Sequence, residues 1–154
     1  MFYIFFVGTL IVVAIIVANN QNQKLNNMFD SGDVDILITQ YFDLGKTVPT
    51  RFKATSQKIY IGDESINFKD ITKAYSYDVK NRYRFTRNPY VSNPYKEAIT
   101  YYLSITYMSG IERVIKCYSF KINDYCMYDR IAKFINKKVR ELKRDKINTC
   151  KNLA

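Results

Sequence analysis

The sequence predicts an α+β fold: an apolar helix at the N-terminus, a series of short antiparallel strands, and one amphipathic helix at the C-terminus. From residue 2 to residue 18 every side chain is apolar or small. Residues 100–120 form two alternating runs around Met108-Ser109-Gly110, and residues 124–146 carry apolar side chains at helical spacing.

The N-terminal stretch reads as a membrane anchor. Thr9 can return its hydroxyl to a carbonyl one turn back, so nothing in residues 2–18 resists hydrocarbon. As a helix it covers roughly 25 Å, the short end of a bilayer span. A cleavable signal peptide competes with this reading. No Lys or Arg precedes the stretch, and Ala14 and Ala18 stand four apart, although Ile16 and Ala18 could be cleaved. A buried helix of a soluble fold would normally show a polar side. Orientation rests on weaker signals. Only Lys24 lies in the flanking window. Cys117, Cys126 and Cys150 are odd in number and match no zinc or redox spacing, which suits a reducing compartment. The expectation is a single-pass chain with its domain in the cytoplasm.

Residues 19–27, Asn-Asn-Gln-Asn-Gln-Lys-Leu-Asn-Asn, read as a juxtamembrane spacer or as one or two further turns of the same helix. Ser31-Gly32-Asp33 is a turn. The expected organisation is an anchor over 1–18, a linker over 19–32, one folded domain over 33–147 and a tail over 148–154. About 135 residues after the anchor suit a single core.

Strands are expected over 36–44, 51–55, 58–61 and 66–68, the third closed by Gly62-Asp63, with Gly45 and Pro49 between the first two. In 73–79, Tyr75, Tyr77 and Val79 share one face against Ser76 and Asp78. Asn81 permits a turn into Arg82-Tyr83-Arg84-Phe85. Asn88-Pro89-Tyr90 and Asn93-Pro94-Tyr95 then break the pattern, and their prolines exclude a central strand. For residues 100–120 a three-residue loop with left-handed Gly110 sets Tyr107 opposite Ile111 and Leu103 opposite Ile115. Tyr101, Leu103, Ile105, Ile111, Ile115 and Cys117 then line one face, whereas a two-residue loop would oppose Leu103 to Lys116.

The last helix is expected over 124–146 with Asn123 or Asp124 as N-cap. Met127, Ile131, Phe134, Ile135, Val139 and Leu142 make its apolar stripe, which Lys138 interrupts and must leave by snorkelling. Arg130, Lys133, Lys137, Arg140 and Arg144 make the opposite, basic side.

About seven strands followed by one amphipathic helix is the element order of a pleckstrin-homology-like (PH-like) domain. The local sequence is similar as well. Residues 58–75 resemble the bacterial PH-like pattern in which a strand is followed by an apolar-x-aromatic-x-Asp-Ile unit, here Ile66, Phe68, Asp70 and Ile71. The resemblance implies a bent antiparallel sheet plugged at one end by the last helix, in a small membrane protein. The loop Gly45-Lys46-Thr47-Val48-Pro49-Thr50 carries one cation rather than the basic cluster of phosphoinositide-binding members, and the fold by itself fixes no function.

Twenty-four Lys and Arg against 14 Asp and Glu give a formal net charge of +10, which points to acidic partners. Richness in Ile, Asn, Tyr and Lys is also what AT-rich coding produces. The chain has no histidine, which excludes Ser-His-Asp and Cys-His catalysis and His-containing metal sites. There is no Walker loop and no G-x-G-x-x-G. Asp33-Val34-Asp35 reads as part of a boundary turn, and Cys117 as a buried small hydrophobe. No enzyme activity, cofactor or metal is expected.

Two basic features remain. The helix face from Arg130 to Arg144 is either a solvated face or a surface for an anionic membrane leaflet or an acidic partner. Arg82, Arg84 and Arg87 alternate with Tyr83 and Phe85, as in single-stranded nucleic-acid grooves. The same pattern is ordinary for a strand with one wet face, so nucleic acid is not the expected partner. The expected function is a non-catalytic, membrane-anchored binding or scaffold domain. The alternative is a structural subunit of a secretion or conjugation type envelope assembly, with another α+β domain.

Overall fold

The computed structural model describes residues 2–42, 46–87, 90, 92–118 and 122–152. Helix α1 (Phe2–Ser31) is followed by β1 (Val34–Tyr41), β2 (Thr47–Ala54), β3 (Lys58–Ile61) and β4 (Glu64–Asn67), then a 3-10 turn (Phe68–Asp70). Strands β5 (Ile71–Arg84), β6 (Tyr95–Tyr107) and β7 (Glu112–Tyr118) and helix α2 (Ile122–Asn152) complete the order. The α+β class is as the sequence predicts. The strands form two antiparallel sheets, β1-β2-β3-β4 and β5-β6-β7, rather than one continuous bent sheet. They adjoin where β1 lies beside β7, and α2 packs on β5 and β6 and reaches β1.

The single core draws Val34, Phe52, Ile59 and Ile66 from the first sheet, Ile71, Leu103, Ile105 and Ile115 from the second, and Tyr128, Ile131, Phe134, Ile135 and Val139 from α2. Each sheet contributes alternate residues because side chains point to opposite faces along a strand. In β3, Ile59 and Ile61 are buried while Lys58 and Tyr60 are only half-covered.

The hairpin between β6 and β7 follows the expected register. Leu103 faces Ile115, the Tyr107 N–H donates to the Ile111 carbonyl at 2.8 Å, and the Gly110 N–H donates to the Tyr107 carbonyl at 3.0 Å. Gly110 has φ 83°, a left-handed conformation that a Cβ makes costly. Nothing lies within 4 Å of where that Cβ would be, so the penalty is purely backbone. Gly110→Ala is therefore expected to cost about 1–2 kcal/mol in chemical denaturation. Ile111 does not join the core: it is 65% exposed at the hairpin tip.

The expectations for Asn81 and for the two ends of the last helix are corrected. Asn81 is not a turn, because β5 continues to Arg84 with Asn81 paired to Ala98 and Arg84 to Tyr95. The face shared by Tyr75, Tyr77 and Val79 is the outer one, since Ala74 is buried while Tyr75 and Val79 are exposed. A register shift between Ile71 and Lys73 resets the alternation there. Helix α2 begins at Ile122, so Asn123 and Asp124 stand in its first turn instead of capping it. It also continues to Asn152, through the residues expected as a tail.

The residues expected as a linker are helical too: α1 runs unbroken through 19–27 to Ser31. Gly32, at φ 77°, ends it. The side chain of Lys138 crosses so closely that a Cβ on Gly32 would meet its Nζ at 3.2 Å. Among the described residues no helix is long and apolar enough to cross a membrane. Within the N-terminal apolar stretch of α1 the described side chains run from Val7 to Ala18, with Leu10, Ile11, Val12, Val13, Ile15 and Ile16 all exposed. Gly45, Asn88, Pro89 and the side chains of Cys117, Cys126 and Cys150 lie outside the described residues.

Candidate binding surfaces

The foot of α1 is fastened to the domain by aromatic packing. The Phe29 ring lies 5.8 Å from that of Phe134, and Phe134 lies 6.1 Å from Phe68 in an edge-on contact. Phe134 comes from the apolar stripe of α2, so the helix turn that buries it turns the residues beside it toward α1. Arg130, Lys133, Lys137 and Arg140 thereby line a groove of about 490 Å³ with Asn26, Phe29 and Asp30. Four of the five predicted helix cations are brought together in this way. The fifth, Arg144, is exposed farther along α2, outside the groove.

Carboxylates stand beside two of the groove's cations. Lys137 Nζ is 3.9 Å from Asp30 Oδ1, and Lys133 Nζ is 2.6 Å from Asp129 Oδ2 on its own helix. Arg140 Nε donates to the Asn136 carbonyl at 3.2 Å. Four cations and Asp30 thus line the groove over an aromatic floor of Phe29 and Phe134. Such a surface can take an acidic ligand that also offers an apolar contact.

Arg82, Arg84 and Arg87 are placed elsewhere. Among the described residues β7 pairs with β6 from Thr100 to Thr106, and β5 and β6 continue beyond that as a two-stranded arm. In this arm the Arg82 guanidinium lies 4.6 Å from the centre of the Tyr95 ring, and Lys96 Nζ lies 4.5 Å from that of Phe85. Arg84 Nε donates to the Thr86 carbonyl at 3.0 Å. Arg87 is exposed. The cation–aromatic alternation is thus partly consumed inside the arm.

Several groups with specific partners escape sequence reasoning. Tyr75, Tyr77 and Tyr102 stack across the outer face of the second sheet, the last two with ring centroids 4.8 Å apart. Beneath them, Ser104 and Tyr75 both donate to Glu112. The Ser104 and Tyr75 hydroxyls hold the Glu112 carboxyl below the ordinary glutamate range. A carboxyl with a depressed folded pKa contributes stability above its unfolded pKa, lost as pH falls through the folded one. Glu112→Gln is therefore expected to flatten the acid limb of the stability profile below about pH 5 in melts across that range.

Burial, then the neighbouring Tyr75, Tyr102 and Glu112, pushes the Tyr77 phenol up. Asp35, half of the sequence's acidic pair, is taken by Arg51 in a two-pronged bond with both contacts at 2.7 Å. The hydrogen bond from Arg51 holds its carboxyl low. Among the described residues no group of three or more Cys, Asp or Glu is placed to hold a metal. Arg113 bonds Glu64, tying β7 to the first sheet, and burial lowers the pKa of its guanidinium. The only signal for that pair was a charge at an inward position of β7.

Comparison with protein-family models, curated proteins and solved structures finds no match for this chain.

Proposed function

We propose that this protein is a membrane-anchored, non-catalytic binding domain of PH-like type, held in the cytoplasm by residues 2–18 and receiving an acidic protein segment in the α1–α2 groove. The observation that carries this reading is the continuity of α1. One unbroken helix presents exposed apolar side chains at one end and, at the other, forms a wall of the four-cation groove. A helix whose described apolar side chains are exposed from Val7 to Val17 is suited to hydrocarbon. Support for the PH-like type comes from the element order and from α2 packing against strands of both sheets.

Stiffness decides between an acidic protein and the leaflet itself. Asn26 and Asp30 follow Ala18 by roughly 12–18 Å of helix rise, and a headgroup layer takes about 5–8 Å of that. With α1 upright, the groove stands on the order of one Debye length above the headgroups, where leaflet attraction has largely decayed. A partner that comes to the groove meets the full charge.

The test uses the full chain in lipid nanodiscs and a poly-glutamate peptide as probe. Lys133→Glu with Lys137→Glu is expected to weaken peptide binding tenfold or more, with no change on charge reversal of Arg144. Unchanged binding in the double variant refutes the groove. Loss of peptide binding when anionic lipid replaces neutral lipid in the disc would assign the groove to the leaflet. Deleting residues 2–18 should release the protein from membranes washed with alkaline carbonate.

A further inference from the structure

Strand β5 is an edge: among the described residues the sheet order β5-β6-β7 leaves one side of it without a neighbouring strand. The structure marks which of its backbone groups face outward. Asn136 of α2 accepts from the Ala74 N–H at 2.9 Å and donates to the Ala74 carbonyl at 2.6 Å. Ala74 therefore points its backbone away from β6, and with the register unbroken from Lys73 to Arg84, so do Ser76, Asp78, Lys80, Arg82 and Arg84. The side-chain amide of Asn136 occupies the first of these positions as a pairing strand would. Beyond it, no described backbone group bonds the outward side of residues 76–84. Residues 78–84 are all exposed, including Val79 and Tyr83.

An open edge of this length is a template for another strand. Its own sequence fits a second copy of itself. We propose that two chains pair β5 to β5, antiparallel, about a two-fold axis at Val79. Outward residues can only meet outward residues, so the register moves in steps of two in the sum of paired numbers. With Val79 opposite the partner's Val79, Asp78 faces the partner's Lys80 and Lys80 faces the partner's Asp78. Ser76 faces the partner's Arg82, and Tyr77 the partner's Asn81. No like charges oppose, and two exposed valines bury each other at the close, non-hydrogen-bonded position.

The neighbouring registers fail on charge. One step onward sets Lys80 against the partner's Lys80, and one step back sets Asp78 against the partner's Asp78. A two-fold contact uses the β5 edge of both chains, so this contact by itself closes at a dimer. The pairing depends on neither the anchor nor the groove.

Disulfide trapping on the full chain in detergent tests the register, with Cys117, Cys126 and Cys150 replaced by Ser. Val79→Cys is expected to give a covalent dimer on mild oxidation, because its two copies lie directly opposite. Asn81→Cys is expected to stay monomeric, since its copies stand about 14 Å apart along the paired strands. A monomeric V79C, or equal cross-linking of N81C, overturns the proposal. A second test keeps the native cysteines. Sedimentation should show the dimer constant weakened at least tenfold by Asp78→Lys and restored to within a few-fold by Asp78→Lys with Lys80→Asp. An unaffected D78K, or a double variant as weak as D78K, overturns it as well.

Discussion

Phe134→Ala is expected to lower the free energy of unfolding by about 3–5 kcal/mol, measured by urea denaturation of the full chain in detergent. Phe134 is buried at the point where α1, the 3-10 turn and α2 meet, with the rings of Phe29 and Phe68 against it. Truncation leaves a cavity that three separate elements would have to close at once, and close packing allows little such movement. The same change should loosen the foot of α1, so amide exchange over its last two turns should quicken. Phe29→Ala is expected to quicken that exchange equally while costing only about 1–2 kcal/mol, because Phe29 is half-buried and lies at the margin of the core. An F134A loss under about 1 kcal/mol would show that the helix foot is not part of the cooperative unit.

Asn136→Ala is expected to cost about 2–3 kcal/mol. The amide makes two bonds to one residue of β5, and alanine leaves both the N–H and the carbonyl of Ala74 without a protein partner beneath α2. Asn136→Asp keeps an acceptor for the N–H but sets a carboxylate against the carbonyl, so it should be no more stable than alanine near neutral pH. Burial beside that carbonyl raises the pKa of the new carboxyl. By linkage the variant then gains stability as pH falls, when the group can donate again. Urea midpoints for N136D at neutral and mildly acidic pH check the sign. Should N136D match the wild type at neutral pH, the carbonyl half of the clamp contributes nothing.

These two positions mark where sequence reasoning stopped. Phe134 was legible, because it belongs to a stripe repeating every three or four residues and such a stripe is buried whatever it meets. Asn136 was not. One residue from a predicted core position, it looks like any polar residue at the border of an amphipathic helix, and only β5 gives its amide two partners. Tyr128 was missed for a similar reason: it sits at the edge of the stripe, yet it is fully buried and donates to the Thr39 carbonyl of β1.

The basic residues divide in the same way. Their helical spacing placed Arg130, Lys133, Lys137 and Arg140 on one side of α2. Their meeting with Phe29 and Asp30 across a groove joins positions a hundred residues apart, and no local pattern encodes that. Arg82 and Arg84 were assigned to a strand after a turn at Asn81. The turn is absent because residues 95–99 pair with β5 straight through it, and pairing outweighs the weak local preference of one asparagine.

By itself, then, the sequence determined what is set over a few residues: the apolar N-terminal helix, the hairpin at Gly110 with Leu103 against Ile115, and the buried stripe of α2. Backbone sterics and side-chain periodicity act at that range and need no partner. The tertiary structure alone decided how the strands divide into two sheets, how far β5 runs, which face of the tyrosine row is outermost, and what α1 rests on. Those depend on which distant surfaces can be buried together with their polar groups satisfied, a condition on the whole chain.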